Sequence, residues 1–164
     1  SSQFRKLCMK KHSNATGAGR VMTLSSERIA RFQRLFSDTQ PDIEALMEEC
    51  YHQRILFRDP LVEKRGQQAL GDYLRSAYEN VARCEFDFDD PATNTQFTLL
   101  PWRMTLEHPK LAGGRPIMVE GVSLLQGEDD RIIFHRDYYD AGQLLYENIP
   151  VLGRLIRWIR SKAA

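Results

Sequence analysis

Three side chains that can exchange protons alternate along one segment near the C-terminal end of the sequence. His135, Asp137 and Tyr139 are each two residues apart. In a strand this spacing places them on one face. A carboxylate flanked by an imidazole and a phenol can accept and return a proton. Asp137 is therefore the candidate catalytic base, although a histidine such as His135 more often has a structural role.

Two further carboxylates are candidates for the second acid–base group. Asp59 directly precedes a proline, and Glu120 lies among apolar neighbours. Desolvation in apolar surroundings favours the protonated carboxyl, which suits a general acid. The alternatives are that Asp59 only caps a turn and that Glu120 pairs with Arg103 or Arg136 at an interface.

Apolar side chains predict the wall of a small-molecule pocket. Trp102, Met104 and Leu106 alternate along one strand and share a face, and Phe57 precedes Asp59 by two residues. If that face points inward, the result is an apolar pocket with a few ionisable groups, which is the usual composition of a ligand site. We expect its ligand to be a hydrophobic small molecule.

The sequence offers little for metal or disulfide chemistry. Cys8, Cys50 and Cys84 are odd in number and more than thirty residues apart, which favours free thiols in a reducing compartment. The four histidines form no close pair with the spacing of metal ligands. We therefore expect a cytoplasmic protein with no metal site and no cofactor.

The order of predicted elements indicates an α+β fold. Apolar residues repeat at helical spacing over 25–38, 41–50 and 67–81, and the period then changes to two. Antiparallel strands are predicted over 84–89, 95–106, 115–125 and 131–139. Helices followed by a run of strands is an α+β order rather than a βαβ order.

Charge divides the chain into three parts. The whole chain has 23 basic and 22 acidic residues, but residues 1–21 hold five basic residues and no acid. We predict that residues 1–21 form a flexible basic segment, that 22–147 form the folded domain, and that 148–164 form a helix. The remaining acidic excess argues against nucleic-acid binding by the domain. No apolar run approaches the roughly 20 residues of a membrane span.

The C-terminal segment has the pattern of a basic amphipathic helix. Leu152, Leu155 and Ile159 line one face, while Arg154 and Arg157 add positive charge beside it. Residues 150–162 could contact an anionic membrane surface or a partner. The alternative is a terminal helix packed on its own domain or across a dimer.

Over residues 24–145 the chain resembles the nuclear transport factor 2-like superfamily, which includes SnoaL-like cyclases, ketosteroid isomerase and limonene epoxide hydrolase. Residues 55–60, ending in Asp59, resemble the ketosteroid isomerase segment in which an Asp before Pro is the base. Residues 135–140 are similar to the epoxide hydrolase segment whose first Asp activates water, which corresponds to Asp137. The resemblance implies a cone-shaped curved antiparallel sheet packed on N-terminal helices around an internal pocket, and a homodimer.

The sequence also departs from both enzymes. The oxyanion-hole Tyr and Asp of the isomerase correspond to Phe32 and to a position near Val122, with Glu120 two residues away. Arg103 matches the arginine of the epoxide hydrolase, but Thr105 replaces its second Asp. The resemblance therefore implies the fold more strongly than the reaction.

Two functions remain open from the sequence. The first is a cofactor-independent isomerase, cyclase or hydrolase in which Asp137 is the base and Asp59 or Glu120 is the second acid–base group. His135 and Tyr139 would orient groups or donate hydrogen bonds. The second is a non-catalytic module that binds a ligand or a partner.

Overall fold

The computed structural model describes residues 21–79, 81–144 and 161. The predicted N-terminal segment and most of the predicted C-terminal helix lie outside the described residues. No helix within the described part is long and apolar enough to cross a membrane.

The helices largely match the sequence prediction. The described helices are α1 (Ser26–Ser37), α2 (Ile43–Ala45), α3 (Gln67–Tyr78) and α4 (Ala141–Leu144). The side chain of Ser25 caps α1 by accepting the backbone N–H of Arg28 at 3.1 Å, which satisfies one of the unpaired donors at the helix start.

The predicted second helix changes type after one turn. A π-helical turn over Leu46–Cys50 follows α2, and the backbone N–H of Tyr51 donates to the carbonyl of Leu46 across it. Leu46, Met47 and Cys50 of this turn all lie in the core, and Tyr51 directly after it enters the sheet fully buried.

The seven strands form one sheet. They are β1 (Tyr51–Arg58), β2 (Glu63–Arg65), β3 (Arg83–Phe88), β4 (Ala92–Thr93), β5 (Thr98–Glu107), β6 (Ile117–Glu128) and β7 (Arg131–Tyr139). The short β2 and β4 were not predicted. The strand order is β2-β1-β7-β6-β5-β3, and β4 pairs with β5.

One pairing of the sheet is parallel, whereas the strands predicted over 84–89, 95–106, 115–125 and 131–139 pair antiparallel as expected. Strand β1 pairs with β7 in parallel, whereas every other described pairing is antiparallel. A parallel pair requires a long crossover connection, and here the connection is most of the domain. The pairing brings the end of β1, just before Asp59, beside the end of β7 that carries Asp137.

The core lies between the helices and the inner face of the sheet. Helix α1 buries Ile29, Phe32, Leu35 and Phe36, which lie on one side at helical spacing. Ring contacts link Phe32 and Phe36 to strand β3 on the sheet. A mixed α+β fold with a large curved sheet, as predicted, therefore surrounds the interior where the candidate residues converge.

Candidate active site

A cavity of about 320 Å³ lies between the inner face of the sheet and helices α1 and α3. Its wall is mainly aromatic and apolar, and includes Phe32, Phe57, Phe86, Phe88, Trp102 and Met104. The ionisable groups at its surface include the carboxylates of Asp59 and Asp137. An apolar cavity of this size with a few polar groups has the composition of a small-molecule site.

Asp137 lines the cavity, and only one of its two carboxylate oxygens is hydrogen-bonded by described residues. Its Oδ1 accepts from Ser123 Oγ at 2.5 Å and lies 2.7 Å from His135 Nε2. No described residue hydrogen-bonds Oδ2. One oxygen thus anchors the carboxylate, and the other can accept a proton from a bound molecule.

The hydrogen bonds of His135 determine its tautomer. An ionised Asp137 has no proton to donate, so His135 Nε2 carries the hydrogen of that contact. In the neutral imidazole Nδ1 is then the acceptor, and Tyr51 Oη lies 2.8 Å from it. Burial raises the pKa of Tyr51 well above its usual value, so this hydroxyl keeps its proton and can donate it to Nδ1 in that tautomer. The chain of donors runs from Tyr51 through His135 to Asp137.

Ser123 connects the carboxylate to the indole of Trp102. Trp102 Nε1 donates to Ser123 Oγ at 3.0 Å, and Ser123 in turn donates to Asp137. The ring can take this position because Gly121 lies opposite Trp102 in the sheet. A Cβ at Gly121 would lie 2.4 Å from the ring carbons, closer than atoms pack.

Asp59 is held very differently from Asp137. Its Oδ1 accepts the backbone N–H groups of Leu61 and Val62, both at 2.7 Å. Its Oδ2 accepts the hydroxyls of Tyr73 at 3.2 Å and Tyr139 at 3.4 Å. All four partners are donors, so they stabilise the charged carboxylate and occupy both oxygens.

The two tyrosines beside Asp59 remain protonated. Burial raises the pKa of Tyr73 and of Tyr139 well above the usual value, and the negative charge of Asp59 raises both further. Asp137 contributes in the same direction to both hydroxyls. The two carboxylates thus act on the same pair of phenols.

The structure brings most of the sequence-predicted site residues together. The cavity wall includes the predicted Asp59, His135, Asp137 and Tyr139, together with the predicted apolar residues Phe32, Phe57, Trp102 and Met104. Their catalytic or binding roles remain predictions.

Two residues that the sequence analysis predicted for the site do not line the cavity. Glu120 and Val122 lie outside the cavity, because the inward residues of β6 are Val119, Ser123 and Leu125, which are buried, whereas Glu120 is exposed. Both faces of β6 carry apolar residues, so alternation alone did not identify the inner one.

Arg103 also faces outward, as the alternation along β5 requires. It lies opposite Glu120 in the pairing of β5 with β6, and its guanidinium contacts Asp87 at 3.5 Å and Asp89 at 3.6 Å. It therefore has no role at the cavity comparable to that of the epoxide hydrolase arginine.

Sequence reasoning missed Ser123, Tyr51 and Tyr73. The pairing of Trp102 with Gly121 would have indicated the inner face of β6, and with it Ser123. Tyr51 contacts His135 from 84 residues away, through the parallel pairing that was not predicted. Tyr73 lies in the helix predicted over 67–81, but the helical pattern did not indicate its contact with Asp59.

One group of possible metal ligands lies away from the cavity. Among the described residues, ligand atoms of His52, Glu128 and Asp129 lie within 4.8 Å of one another. Glu128 is already paired with Arg54 at 2.6 Å, and His52 Nδ1 accepts the backbone N–H of Arg54 at 3.0 Å. These contacts already engage two of the three ligands within the protein.

The family of the chain follows from a match to a family model. Residues 27–135 match the model of the SnoaL-like domain, which is well over half of the chain. The protein belongs to the SnoaL-like domain family, and its curved sheet and helices have the fold of ketosteroid isomerase-like and nuclear transport factor 2-like proteins. No curated protein matches the sequence.

Solved structures share the fold at low sequence identity. A protein of ketosteroid isomerase-like fold from Catenulispora acidiphila DSM 44928, solved with trimethylamine, is 12% identical with a TM-score of 0.65, over 76% of this chain and 93% of the other. A nuclear transport factor 2-like protein of unknown function from Burkholderia pseudomallei K96243 is 12% identical with a TM-score of 0.64, over 73% and 92%. TsrD from Streptomyces laurentii is 19% identical with a TM-score of 0.62, over 74% and 94%.

Proposed function

We propose that this protein is a cofactor-independent isomerase or cyclase that acts on an apolar carbonyl compound, with Asp137 as the base. The proposal rests on the different hydrogen bonding of the two oxygens of this carboxylate. Oδ1 is anchored by His135 and Ser123, while Oδ2 has no hydrogen-bond partner among the described residues, and Asp137 lines a mainly apolar cavity.

The reaction begins with transfer of a proton from carbon to Asp137. Oδ2 takes a proton from the carbon next to the carbonyl, and the electron pair of the broken C–H bond moves to the carbonyl oxygen as an enolate. Return of the proton to a different carbon gives an isomer. Attack of the enolate carbon on a second carbonyl gives a ring, and the electron pair of that C=O bond leaves an alkoxide that takes back the proton held by Asp137. His135 is a positioning residue, because its Nε2–H fixes the carboxylate and its Nδ1 is held by Tyr51.

Tyr139 is the candidate donor to the developing oxygen. Its hydroxyl lies 3.4 Å from Asp59 Oδ2, which is long for an O–H···O hydrogen bond. A hydroxyl held this weakly can rotate to a substrate oxygen at low cost. Because its raised pKa keeps the phenol protonated, it can stabilise the enolate by donating a hydrogen bond.

Asp59 is the weaker candidate for the base. Both of its oxygens are occupied by donors, so a proton could reach it only after one of those hydrogen bonds breaks. Glu120 is removed from consideration by its position on the outer face of the sheet. The acid–base hypothesis therefore rests on Asp137, with Tyr139 as the donor.

Deuterium exchange tests the proposal without knowledge of the natural substrate. The protein is incubated in D2O with a panel of apolar ketones, some of them bearing amines, and NMR follows loss of the proton next to the carbonyl. We expect exchange above the buffer rate, and a decrease of about 100-fold or more in Asp137→Asn, since a general base contributes that much. Circular dichroism should show an unchanged fold.

Glu120→Gln is the matched control. It removes one carboxylate charge from the exposed outer face and should leave exchange unchanged. Exchange by Asp137→Asn at the wild-type rate would contradict the assignment of the base. Binding of panel members without exchange by the wild-type protein would favour the non-catalytic binding function instead.

A further inference from the structure

We infer that the part of the cavity around Asp59 binds the quaternary ammonium group of an otherwise apolar ligand. The basis is a carboxylate whose hydrogen-bonding capacity is used by the protein while its charge remains at the surface of an aromatic cavity. The inference names the ligand class of the proposed active site, and it rests on the proposed function only in treating this cavity as the ligand site.

The charges at the cavity surface favour a cation. Two carboxylates, Asp59 and Asp137, line the cavity, and no lysine or arginine is among the described residues that do so. Two histidines also line the cavity, and both are engaged within the protein. His108 Nδ1 accepts the backbone N–H of Lys110 at 3.1 Å, and His135 contacts Tyr51 Oη through Nδ1 and Asp137 through Nε2.

The hydrogen bonds of Asp59 select the type of cation. Four donors from Leu61, Val62, Tyr73 and Tyr139 occupy both oxygens. A primary ammonium needs acceptors for its three N–H groups, and this carboxylate has little left to offer. A trimethylammonium group needs no acceptor, because charge and contact with polarisable surface are sufficient to hold it.

Aromatic rings supply that surface on both sides of Asp59. Tyr73 contacts Phe57 with ring centroids 5.9 Å apart, and Tyr139 contacts Trp102 with centroids 6.1 Å apart. Both tyrosine hydroxyls end on the same carboxylate oxygen, so the two ring pairs flank one charge. Ring faces carry negative electrostatic potential and attract cations, most strongly where water is excluded.

One protein cation already contacts this group of rings. Lys64 Nζ lies 5.5 Å from the centroid of Tyr73, although Lys64 does not line the cavity. This contact shows that the Tyr73 ring is accessible to an ammonium group on one side. The rings of Phe57, Trp102 and Tyr139 have no such contact with a described lysine or arginine.

Two isosteric phenols test the inference. (3-Hydroxyphenyl)trimethylammonium and 3-tert-butylphenol have the same shape and differ by one positive charge, and 3-hydroxybenzoate provides an anion. Binding of each to the full chain is measured by protein-observed NMR titration at pH 6.5. We expect the cation to bind about tenfold more tightly than its neutral isostere, and the anion to bind most weakly.

Variants locate the effect at Asp59 and its rings. Asp59→Asn should reduce the preference for the cation over the isostere to about twofold or less. Tyr139→Phe retains the ring and should retain most of the preference, whereas Tyr139→Leu should lose it. Glu120→Gln removes a charge from the outer face and should change nothing. The two Tyr139 variants still test the inference if Asp59→Asn does not fold.

The inference is overturned if the neutral isostere binds as tightly as the cation, if the cation does not bind at millimolar concentration, or if Asp59→Asn retains the full preference. These outcomes are independent of the exchange experiment. A cation preference without deuterium exchange would leave the ligand class standing and remove the proposed reaction. Exchange that depends on Asp137 without a cation preference would support the proposed reaction and overturn the inferred ligand class.

Discussion

Asp59 and Asp137 are identical side chains in opposite hydrogen-bonding states. Both carboxylate oxygens of Asp59 accept hydrogen bonds from the protein, whereas Asp137 has one oxygen without a described partner. The difference comes from backbone conformation. Asp59 begins a tight turn whose amides point at its carboxylate, while Asp137 projects from a regular strand toward the cavity.

Replacing Ser123 removes a hydrogen-bond donor to Asp137 without changing any charged side chain. In Ser123→Ala, Trp102 Nε1–H loses its acceptor in a buried place and Asp137 loses one of its two donors. We expect the free energy of unfolding to fall by about 1–3 kcal/mol, the cost of an unsatisfied buried polar group. Urea denaturation followed by circular dichroism measures this.

Ser76→Ala provides the comparison for that measurement. Ser76 is exposed on helix α3, and its removal should change the free energy of unfolding by less than about 0.5 kcal/mol. An equally small effect of Ser123→Ala would show that water or a rearranged side chain replaces the lost contacts.

At the level of single residues, the sequence predicted the candidate base but not the Ser123 side chain that hydrogen-bonds it. Asp137 was predicted because its neighbours at two-residue spacing are chemically distinctive. Ser123 carries no such signal, since a serine in a strand is ordinary, and its importance comes from a cross-strand contact with Trp102. Such contacts depend on strand register, which the sequence did not determine here.

Among the elements, strand β6 determines how the cavity wall is built. Its inner face combines small and large residues, so that the Trp102 ring of β5 lies over Gly121 and reaches Ser123. A glycine in a strand interior often marks such a close approach. The close packing of this strand pair therefore controls the position of the indole.

Gly121→Ala should displace that indole. A Cβ 2.4 Å from the ring carbons cannot be accommodated without movement of Trp102, and overpacking of this kind costs about 1–3 kcal/mol. The expected result is a lower free energy of unfolding together with a shift of the Trp102 indole N–H resonance in NMR spectra, since Nε1 leaves Ser123. An unchanged resonance would mean that the backbone, rather than the ring, moves.

Element types were more predictable than element pairing. The alternation over residues 131–139 gave the bounds of β7, and helical spacing gave most of α1 and α3. The parallel pairing of β1 with β7 was not predictable from periodicity, because alternation is the same in parallel and antiparallel strands. The resemblance to a superfamily supplied the overall arrangement that local pattern could not.

For the molecule as a whole, the free energy of unfolding depends on pH through buried tyrosine and cysteine side chains. Burial raises the pKa of the Tyr51 hydroxyl well above its usual value of 10.0. Burial also raises the pKa of the Cys50 and Cys84 thiols above 9.0. In each case the unfolded chain releases its proton at a lower pH than the folded chain does, so stability falls as pH rises through the unfolded-state value.

Alkaline conditions should therefore destabilise the protein steeply. Tyr51 alone is expected to lower the free energy of unfolding by about 1.4 kcal/mol for each pH unit above roughly 10. Urea denaturation at pH 8, 10 and 11 measures the slope. Tyr51→Phe cannot ionise at this position and should show a smaller slope between pH 10 and 11. Equal slopes in the two proteins would assign the effect to other groups.

The two carboxylates proposed for the site face inward in the described domain, whereas residues 1–20 and most of the basic segment predicted at 148–164 lie outside the described residues. The homodimer and a membrane or partner contact by residues 150–162 stay predictions, for which sedimentation and liposome binding are the direct measurements.

The parallel pairing of β1 with β7 also sets the order in which a ribosome can complete the cavity. Tyr51 emerges 84 residues before His135, its hydrogen-bonding partner, and Asp59 emerges long before β7 exists. Throughout that interval β1 lacks one neighbour in the sheet, and its exposed edge can pair with another chain. The pocket therefore cannot be complete before β7 has been synthesised, and until then the free edge of β1 is open to misassembly.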